Sequence, residues 1–256
     1  MARKKVTLTD VGVTRESIID AHVAEYAPDR VRVIIAGQEC EPTAMPDGVL
    51  VQPVQLSSAS NEHYTPVDIV ERARRLMGSI DLDPASCPEA QRIVRAERYF
   101  AQEMPPASRS LPEGNIEVGD GLALRPWKGN VFLNPPGGAF KILNKSFSNA
   151  ALWWAALVQD WLSGDVKQAI FIGFTLEILR HSQNGCPLPV QAFHRCYPKK
   201  RIKFSGAQQP THANVIVYLP PIPADCRNVQ GKNYMLDGTY FGEFREHFGT
   251  LGYCEP

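Results

Sequence analysis

The sequence predicts an α/β fold built on a mostly parallel β-sheet, and two observations carry this prediction. Between residues 61 and 219, short apolar segments of strand length alternate with segments of helical periodicity, which is typical of a parallel sheet covered by helices. Three predicted strands also end in polar residues, at Asp81 and Asp83, at Asp120 and at Asn134. Ligands of such sheets bind beyond the carboxyl ends of the strands, so these ends are the first indication of a functional site.

Residues 1–58 are interpreted as an N-terminal extension and linker, and residues 59–256 as the main domain. Within the extension, Glu16–Tyr26 has helical character and Val31–Ile35 is short and β-branched like a strand. Gln38–Ser60 is rich in Pro, Gly and Ser, which indicates a linker. Nothing in this region indicates a function.

The main domain opens with a predicted helix over Val67–Met77, whose apolar residues recur with helical spacing. Thr65 is the expected N-cap, Pro66 suits the first turn, and Gly78 ends the helix. The remaining predicted elements are a strand at Ser79–Asp83, a helix at Pro88–Ala96, strands at Gly114–Val118 and Gly129–Leu133, a helix at Ser148–Leu162, a strand at Gln168–Phe174, a helix to about His181, and strands at Lys200–Phe204 and Asn214–Leu219, the last of them edge-like.

Charge and cysteine content exclude several classes of protein. The chain carries 27 basic and 27 acidic residues, which excludes a nucleic-acid binder that works by bulk phosphate neutralisation but not an enzyme with a local basic strip. The basic start has no apolar run behind it, and no segment reaches the roughly 18 apolar residues of a membrane helix. The six cysteines form no C-x-x-C pair. We therefore expect a cytoplasmic protein with reduced thiols, no metal site and no membrane partner.

Three segments of the main domain resemble the motifs of one enzyme family. Tyr64–Pro66 is similar to the entry motif before the first helix, Ile80–Ser86 (IDLDPAS) to the cofactor motif, and Leu133–Pro136 (LNPP) to the catalytic (D/N/S)-P-P-(Y/F/W) tetrapeptide. An Asp-Gly-Leu step at residues 120–122 and Trp127 lie between them in the family's order. Over about residues 61–219 the chain thus resembles the phage-type Dam-like DNA N6-adenine methyltransferases.

The resemblance implies a Rossmann-like methyltransferase sheet with an antiparallel edge hairpin, and S-adenosylmethionine as cofactor. It implies DNA as partner, with the adenine flipped out of the duplex or single-stranded, in a bacterial or phage-infected cytoplasm. Asn134 and Pro135 would orient the amino group, and Pro136 would stiffen the loop. The cofactor-binding residues implied by the resemblance are Tyr64, Thr65, Pro66, Asp81, Asp83, Pro84, Ala85, Ser86 and Asp120.

The chemistry explains the residue types of the tetrapeptide. The N6 amino group of adenine is a poor nucleophile because its lone pair is delocalised into the ring. Two acceptors that take both of its N–H bonds would bring that lone pair toward tetrahedral geometry. The Asn134 side-chain carbonyl and the Pro135 main-chain carbonyl would be these acceptors, preorganised because the prolines stiffen the loop. The rest of the rate would come from holding donor and acceptor in line.

Several of these residues also have a purely structural interpretation. Asp81 and Asp83 could cap the following helix, Asp120 could form only a turn, and N-P-P alone is most often a stiff turn. Alternation puts both aspartates on one face of the strand, but only Asp83 sits at its end, so Asp83 is the better cofactor contact. Glu97 is the candidate for binding the ribose hydroxyls.

The sequence departs from the family at Gly137, where the tetrapeptide normally ends in an aromatic residue that stacks on the acceptor base. Such stacking is worth about 1–3 kcal/mol per base. Phe140 or Phe174 could supply it from another backbone position. Alternatively, Gly137 and Gly138 could make room for a bulkier or already modified base, or catalysis could be lost while binding remains.

The densest basic stretch, His194–Lys203, is interpreted either as a solvated strand edge or as a phosphate-contacting surface. In the second interpretation the DNA-binding residues are Arg195, Lys199, Lys200, Arg201 and Lys203. Trp153 and Trp154 are expected to pack in the core, with the alternative that one of them faces a partner.

The sequence therefore predicts an S-adenosylmethionine-dependent, adenine-specific DNA methyltransferase. One alternative is a catalytically silent DNA- or cofactor-binding protein that keeps the fold, and Gly137 motivates it. The other is an amino-methyltransferase that acts on cytosine N4, RNA or protein. Neither the target sequence nor the oligomeric state can be predicted.

Overall fold

The computed structural model describes residues 33–35, 38–40, 64–103, 114–142, 145–204, 212–222 and 238–256, without the side chains of 33–35, 38–40, 140–147, 238 and 239. The predicted helix Glu16–Tyr26 lies outside these residues. The strands are β1 Val33–Ile35, β2 Gln38–Cys40, β3 Leu82–Ser86, β4 Arg98–Ala101, β5 Asn115–Val118, β6 Gly129–Leu133, β7 Ala139–Ile142, β8 Lys145–Ser148, β9 Val166–Gly173, β10 His194–Pro198, β11 Val215–Leu219 and β12 Gly252–Glu255. The helices are α1 Val67–Met77, α2 Pro88–Val94, α3 Asn149–Ser163, α4 Glu177–His181 and α5 Gly238–Phe248.

Eight strands form one sheet in the order β12-β10-β11-β9-β6-β3-β4-β5. The five strands from β9 to β5 are mutually parallel, and β11 runs antiparallel between β9 and β10. This confirms the predicted α/β class with a largely parallel sheet and an antiparallel hairpin near one edge. The chain builds outward from β3 to β5 and then returns to place β6 on the other side of β3, so the strand order reverses between β3 and β6. Ligands of open α/β sheets bind at such a switch point, beyond the carboxyl ends of the strands.

The period-two alternation of the central strands divides the core between the two faces of the sheet. In β6, Val131 and Leu133 belong to the core under α3, whereas Phe132 belongs to the core under α1 and α5. The helix α3 is buried over most of its length because its apolar residues surround the whole helix. Trp153 and Trp154 are 5% and 0% exposed, which confirms core packing for both and rules out a partner-facing tryptophan at either position.

The helix α1 occupies the predicted residues, but Thr65 does not cap it. Pro66 is the N-cap, in an extended conformation, and no side-chain hydrogen bond caps the helix. Its main-chain carbonyl accepts hydrogen bonds from the N–H groups of Ile69 and Val70. Gly78 ends the helix with a φ of 83°, in the left-handed region that favours glycine.

The predicted strand at Lys200–Phe204 is wrong, because the strand of this region is β10, six residues earlier. The N–H of Lys199 donates to the Leu251 carbonyl and continues the pairing of β10 with β12 by one residue. The N–H of Ile202 donates to the Asn214 side chain and joins no ladder. The strand β11 is not an edge strand either, since β10 and then β12 lie beyond it. Gln38–Cys40, placed in the linker by the sequence, forms β2 and pairs antiparallel with β1.

Across the part of the chain that the structure describes, no helix is both long enough and apolar enough to cross a membrane.

Candidate functional site

Two of the motif segments leave adjacent strands at the switch point. Leu82 of β3 pairs with Val131 of β6 in parallel register, so Pro84–Ser86 and Asn134 lie at the same edge of the sheet. Pro84 has no N–H to donate to a ladder, and the register between β3 and β4 shifts between Asp83 and Ser86. The cofactor motif is therefore the irregular end of a strand.

The carboxyl group of Asp83 is buried and organises this irregular segment. Its side chain is 3% exposed and accepts hydrogen bonds from Gln91 Nε2 at 2.8 Å and from the N–H of Ala85 at 3.3 Å. Burial raises the pKa of Asp83 to about 7, against the opposing effect of its hydrogen bonds. Asp83 thus holds the Pro84–Ser86 segment through contacts with the protein itself.

Gln91 is a second buried support, which the sequence did not reveal. Its Nε2 donates to both Asp83 and Ser86 Oγ, at 2.8 and 2.7 Å, and its Oε1 accepts from the N–H of Ala96 at 2.9 Å. Gln91 is fully buried in α2. One side chain therefore links the cofactor motif to the far end of this helix.

Asp81 does not belong to the site, contrary to its assignment as a cofactor-binding residue. It precedes β3, at the amino end of the strand, where its carboxylate accepts from Ser79 Oγ at 2.6 Å and from the N–H of Asn130 at 2.8 Å. It joins β3 to the start of β6. Two residues of a strand span about 6.6 Å, which is enough to put Asp81 and Asp83 in different environments.

Glu97 lies at the amino edge of the sheet, as Asp81 does, and not at the carboxyl edge that holds the candidate site. It is exposed and precedes β4, and its main-chain groups bond to Ile80 and Asn115. The acidic residue beyond the carboxyl end of β4 is Glu103, which is exposed. Glu103 is therefore better placed than Glu97 to meet a ligand.

The entry motif lies against the residue that follows the cofactor motif. Cys87 Sγ approaches the Tyr64 hydroxyl at 3.8 Å and caps α2 by accepting from the N–H of Ala90. Thr65 is 4% exposed, and its Oγ1 has no hydrogen-bond partner among the described residues. A buried hydroxyl without a partner costs about 1–3 kcal/mol, so a bound polar group at this position would stabilise the fold.

Asp120 forms a turn that packs directly on the cofactor motif. Its Oδ1 accepts from the N–H of Leu122 at 2.8 Å, as the structural interpretation predicts. The adjacent Gly121 lies so close to Pro84 that a Cβ built on it would be 1.9 Å from the Pro84 carbonyl oxygen and 2.8 Å from Trp153. The Gly121 carbonyl accepts from Trp127 Nε1 at 2.8 Å. The Asp-Gly-Leu turn is thus fixed at the edge of the site.

The N-P-P segment follows β6 without a break. Asn134 is half-buried, Pro135 is buried, and Gly137 and Gly138 are exposed. Asn149, at the start of α3, anchors the end of the loop, because its Nδ2 donates to the Gly137 carbonyl at 2.9 Å and its N–H donates to the Gly138 carbonyl at 3.2 Å.

Gly137 is not a steric necessity. A Cβ built on it would meet no atom of the described residues within 4 Å, and its φ lies outside the left-handed region. The missing aromatic side chain is therefore not explained by crowding. The side chain of Phe140, one of the two residues expected to replace it, lies outside the described part of the structure.

Arg195 is part of the structural core and does not contribute to a DNA-binding surface. It is 7% exposed, its Nε donates to Glu255 at 2.9 Å, and its Nη2 donates to the main-chain carbonyl of Pro256 at 2.8 Å. A hydrogen bond from the Tyr197 hydroxyl and the contact with Arg195 lower the pKa of Glu255. Arg195 therefore fixes β12 to β10.

The other four predicted DNA-binding residues are exposed and lie at the site edge. The strand β10 runs in the same direction as β9, since both are antiparallel to β11, so the segment after Pro198 emerges at the carboxyl edge. Ile202 and Phe204 are buried between exposed cations. We call these exposed cations the basic strip, and its members are Lys199, Lys200, Arg201 and Lys203.

Comparisons with known proteins add little. No protein-family description and no curated protein matches this chain. Among solved structures, it is similar to a Listeria monocytogenes protein provisionally described as a class I S-adenosylmethionine-dependent methyltransferase, with 10% sequence identity, a TM-score of 0.42, and coverage of 75% of this chain and 73% of that one. A likeness this slight supports no statement about function.

Proposed function

We propose that this chain is an S-adenosylmethionine-dependent methyltransferase that acts on the N6 amino group of adenine in DNA. The observation that carries the proposal is the position of two motifs at the switch point, where Asn134 leaves β6 beside the Pro84–Ser86 segment of β3. A methyl donor and an amino acceptor have to meet at one place, and this edge holds the residues proposed for each.

The residues around Pro84 suit a ligand of the donor's chemistry. The buried Thr65 hydroxyl lacks a hydrogen-bond partner in the described part of the chain, and the exposed carboxylate of Glu103 is available to ribose hydroxyls. Asp120 lies on the turn that packs against Pro84. S-adenosylmethionine supplies an electrophilic methyl group on a sulfonium when bound. In this proposal Asp83 and Gln91 act indirectly, by holding the Pro84–Ser86 backbone in place.

The tetrapeptide would receive the acceptor amino group. The Asn134 side-chain carbonyl and the Pro135 main-chain carbonyl each accept one N–H, which aims the nitrogen lone pair away from the ring plane. Pro135 is buried and Asn149 anchors the loop at Gly137, so the acceptors do not have to be ordered during the reaction. Preorganised groups of this kind contribute about 10²–10³ in rate.

DNA is proposed as the partner because the basic strip lies at the same edge as Asn134. Within the strip, Arg201 and Lys203 alternate with the buried residues Ile202 and Phe204, so these two cations point into solvent. Ile202 is held through Asn214, whose Nδ2 donates to the Phe174 carbonyl at 2.7 Å. The strip is therefore a fixed row of charge, suited to the phosphates of a strand.

The test of the acceptor class is transfer of a tritiated methyl group to DNA, RNA or protein. We expect label in DNA with the wild-type chain and loss of about a hundredfold or more in rate with Asn134→Ala, whose donor binding by calorimetry stays unchanged. Label in RNA or protein and not in DNA would contradict the proposal.

The test of the partner surface is charge reversal of Lys199, Lys200 and Arg201 together. A matched control reverses three exposed cations at the opposite edge or on the far side of the helices, and these are Arg75, Lys128 and Lys167. Both variants change the net charge equally, so bulk electrostatics affects them alike. We expect only the first to abolish DNA binding and the salt dependence that accompanies phosphate contacts.

The exposed and unobstructed Gly137 favours a second candidate, a protein that binds donor and DNA without catalysis. In that case calorimetry would detect donor binding, while no label would enter any acceptor.

A further inference from the structure

We propose that Phe174, supported by Phe204 and His212, is a stacking platform for the unpaired acceptor base. This inference rests on the proposed function and specifies how the site would hold its substrate. An enzyme that modifies a base outside the duplex stack has to give that base a new stacking partner. At Gly137 the tetrapeptide offers none.

Phe174 lies one strand away from Asn134 and two residues further along, beyond the same edge of the sheet. It directly follows β9, the strand that neighbours β6, and Leu133 of β6 pairs with Phe171 of β9. Phe132 and Ile170 also pair, and both belong to the core on the α1 face. Asn134 follows Phe132 by two residues, and Phe174 follows Ile170 by four. Because side chains alternate between the faces of a strand, the geometry assigns Asn134 and Phe174 to the same face and the same edge.

The three aromatic rings form one cluster. The Phe174 centroid is 5.3 Å from that of Phe204 and 5.0 Å from that of His212, at interplanar angles of 44° and 47°. Phe204 is buried, Phe174 is half-buried, and His212 is exposed. The cluster therefore reaches from the core to solvent, with its inner ring fixed.

The aromatic cluster and the basic strip share one segment of the chain. Phe204 ends the extended segment that carries Arg201 and Lys203, and Asn214 ties Ile202 of this segment to the Phe174 carbonyl. Proteins that bind single strands combine a row of cations for phosphates with aromatic rings for bases. Here the basic strip leads to the aromatic cluster, and Phe174 of this cluster lies one strand away from Asn134 at the same edge of the sheet. The ligand that suits this surface is an unpaired DNA segment with its acceptor base on Phe174.

The test is a binding cycle with the full chain and two fluorescein-labelled DNA strands of about 12 nucleotides, within the site sizes of single-strand binders. One is oligodeoxyadenylate, and the other is an abasic strand with the same number of phosphates. The abasic strand keeps the phosphate contacts and lacks the bases. Fluorescence anisotropy gives the Kd of each strand for the wild type and for Phe174→Leu, which keeps an apolar side chain in the half-buried position.

We expect Phe174→Leu to weaken oligodeoxyadenylate binding about fivefold or more and to leave abasic-strand binding within about twofold. Phe174→Tyr should bind as the wild type does. Adding Gly137→Phe to Phe174→Leu should restore binding, because the space at Gly137 is open.

Equal binding of oligodeoxyadenylate by the wild type and Phe174→Leu would overturn the platform while leaving DNA as the partner. An equal loss for both strands would also overturn it, since that result identifies Phe174 as a support of the basic strip alone. Failure of the wild type to bind either strand would overturn the proposed DNA substrate itself, and the platform with it.

Discussion

Gly121→Ala tests whether the Asp-Gly-Leu turn and the cofactor motif form one site. The added Cβ would lie 1.9 Å from the Pro84 carbonyl oxygen, whereas real Cβ atoms essentially never approach closer than 3.0 Å. The turn or Pro84 would therefore have to move by at least about 1.1 Å, the difference between the two distances. The backbone of Gly121 is not in the left-handed region, so this displacement is the whole effect.

The magnitude follows from that displacement. Overpacking of a tight contact costs about 1–3 kcal/mol of stability, and a shift of about 1 Å at a site can cost about a hundredfold in rate. We expect Gly121→Ala to unfold at lower denaturant concentration and to bind S-adenosylmethionine at least about tenfold more weakly by calorimetry.

The control is Gly242→Ala in α5, where the added methyl group would meet no described atom within 4 Å. An exposed helical glycine replaced by alanine gains about 0.5–1 kcal/mol, and donor binding should not change. If Gly121→Ala bound the donor as tightly as Gly242→Ala does, the turn at Asp120 would not be part of the site.

Three further predictions concern buried polar groups. Burial raises the folded-state pKa of Asp83 from 3.8 to about 7, so the folded state binds more protons than the unfolded state between these pH values. As pH rises from about 4 to 8, the free energy of unfolding of the wild type should therefore fall relative to that of Asp83→Asn, by about 4 kcal/mol at most. A difference between the two denaturation curves that does not change with pH would contradict this. Asn149→Ala removes the hydrogen bond to Gly137 and should speed amide hydrogen exchange in the tetrapeptide loop while donor affinity stays the same, whereas unchanged exchange would show that the loop is held elsewhere. Arg195→Ala breaks the largely buried pair with Glu255 and should lower the denaturation midpoint without altering the salt dependence of DNA binding, whereas a reduced salt slope would return Arg195 to the DNA surface.

Much of the parallel half of the fold could be predicted where local patterns agree with the tertiary structure. However, β3 lies three residues later than the predicted strand at Ser79–Asp83, and β4 was not predicted. The helix at Val67–Met77 and the strand at Gly129–Leu133 have the predicted bounds, since each is bounded by a glycine and carries one clear periodicity. Ser148, the predicted first residue of α3, caps it through a hydrogen bond from the N–H of Ala151, and the helix begins one residue later, at Asn149.

The edge of the sheet could not be predicted in the same way. The strand β10 begins with His194 and Arg195, whose polar character hides that both are buried. The Arg195 side chain is neutralised by Glu255, 60 residues later in the chain, and no local pattern contains that partner. The sequence instead predicted the strand at Lys200–Phe204, six residues after the observed start of β10.

At the candidate site, the sequence predicted which segments lie together better than it predicted the contacts of each side chain. Asp81 and Asp83 share a motif, yet one joins strands at the amino edge and the other supports the loop at the carboxyl edge. Gln91 and Asn149 were missed because a polar residue inside a helix is ordinarily exposed. Asn149 directly follows Ser148, the cap of α3, and this position is the signal that could have indicated it. Gln91 lies five residues after the cofactor motif, and no local signal indicates it.

The most direct test of the central proposal is mass spectrometry of nucleosides from DNA that has no N6-methyladenine, incubated with the full chain and S-adenosylmethionine carrying a trideuterated methyl group. We predict trideuterated N6-methyladenine with the wild type and about a hundredfold less with Asn134→Ala. Label on cytosine N4, no label in any nucleoside, or equal labelling by Asn134→Ala would contradict the proposal.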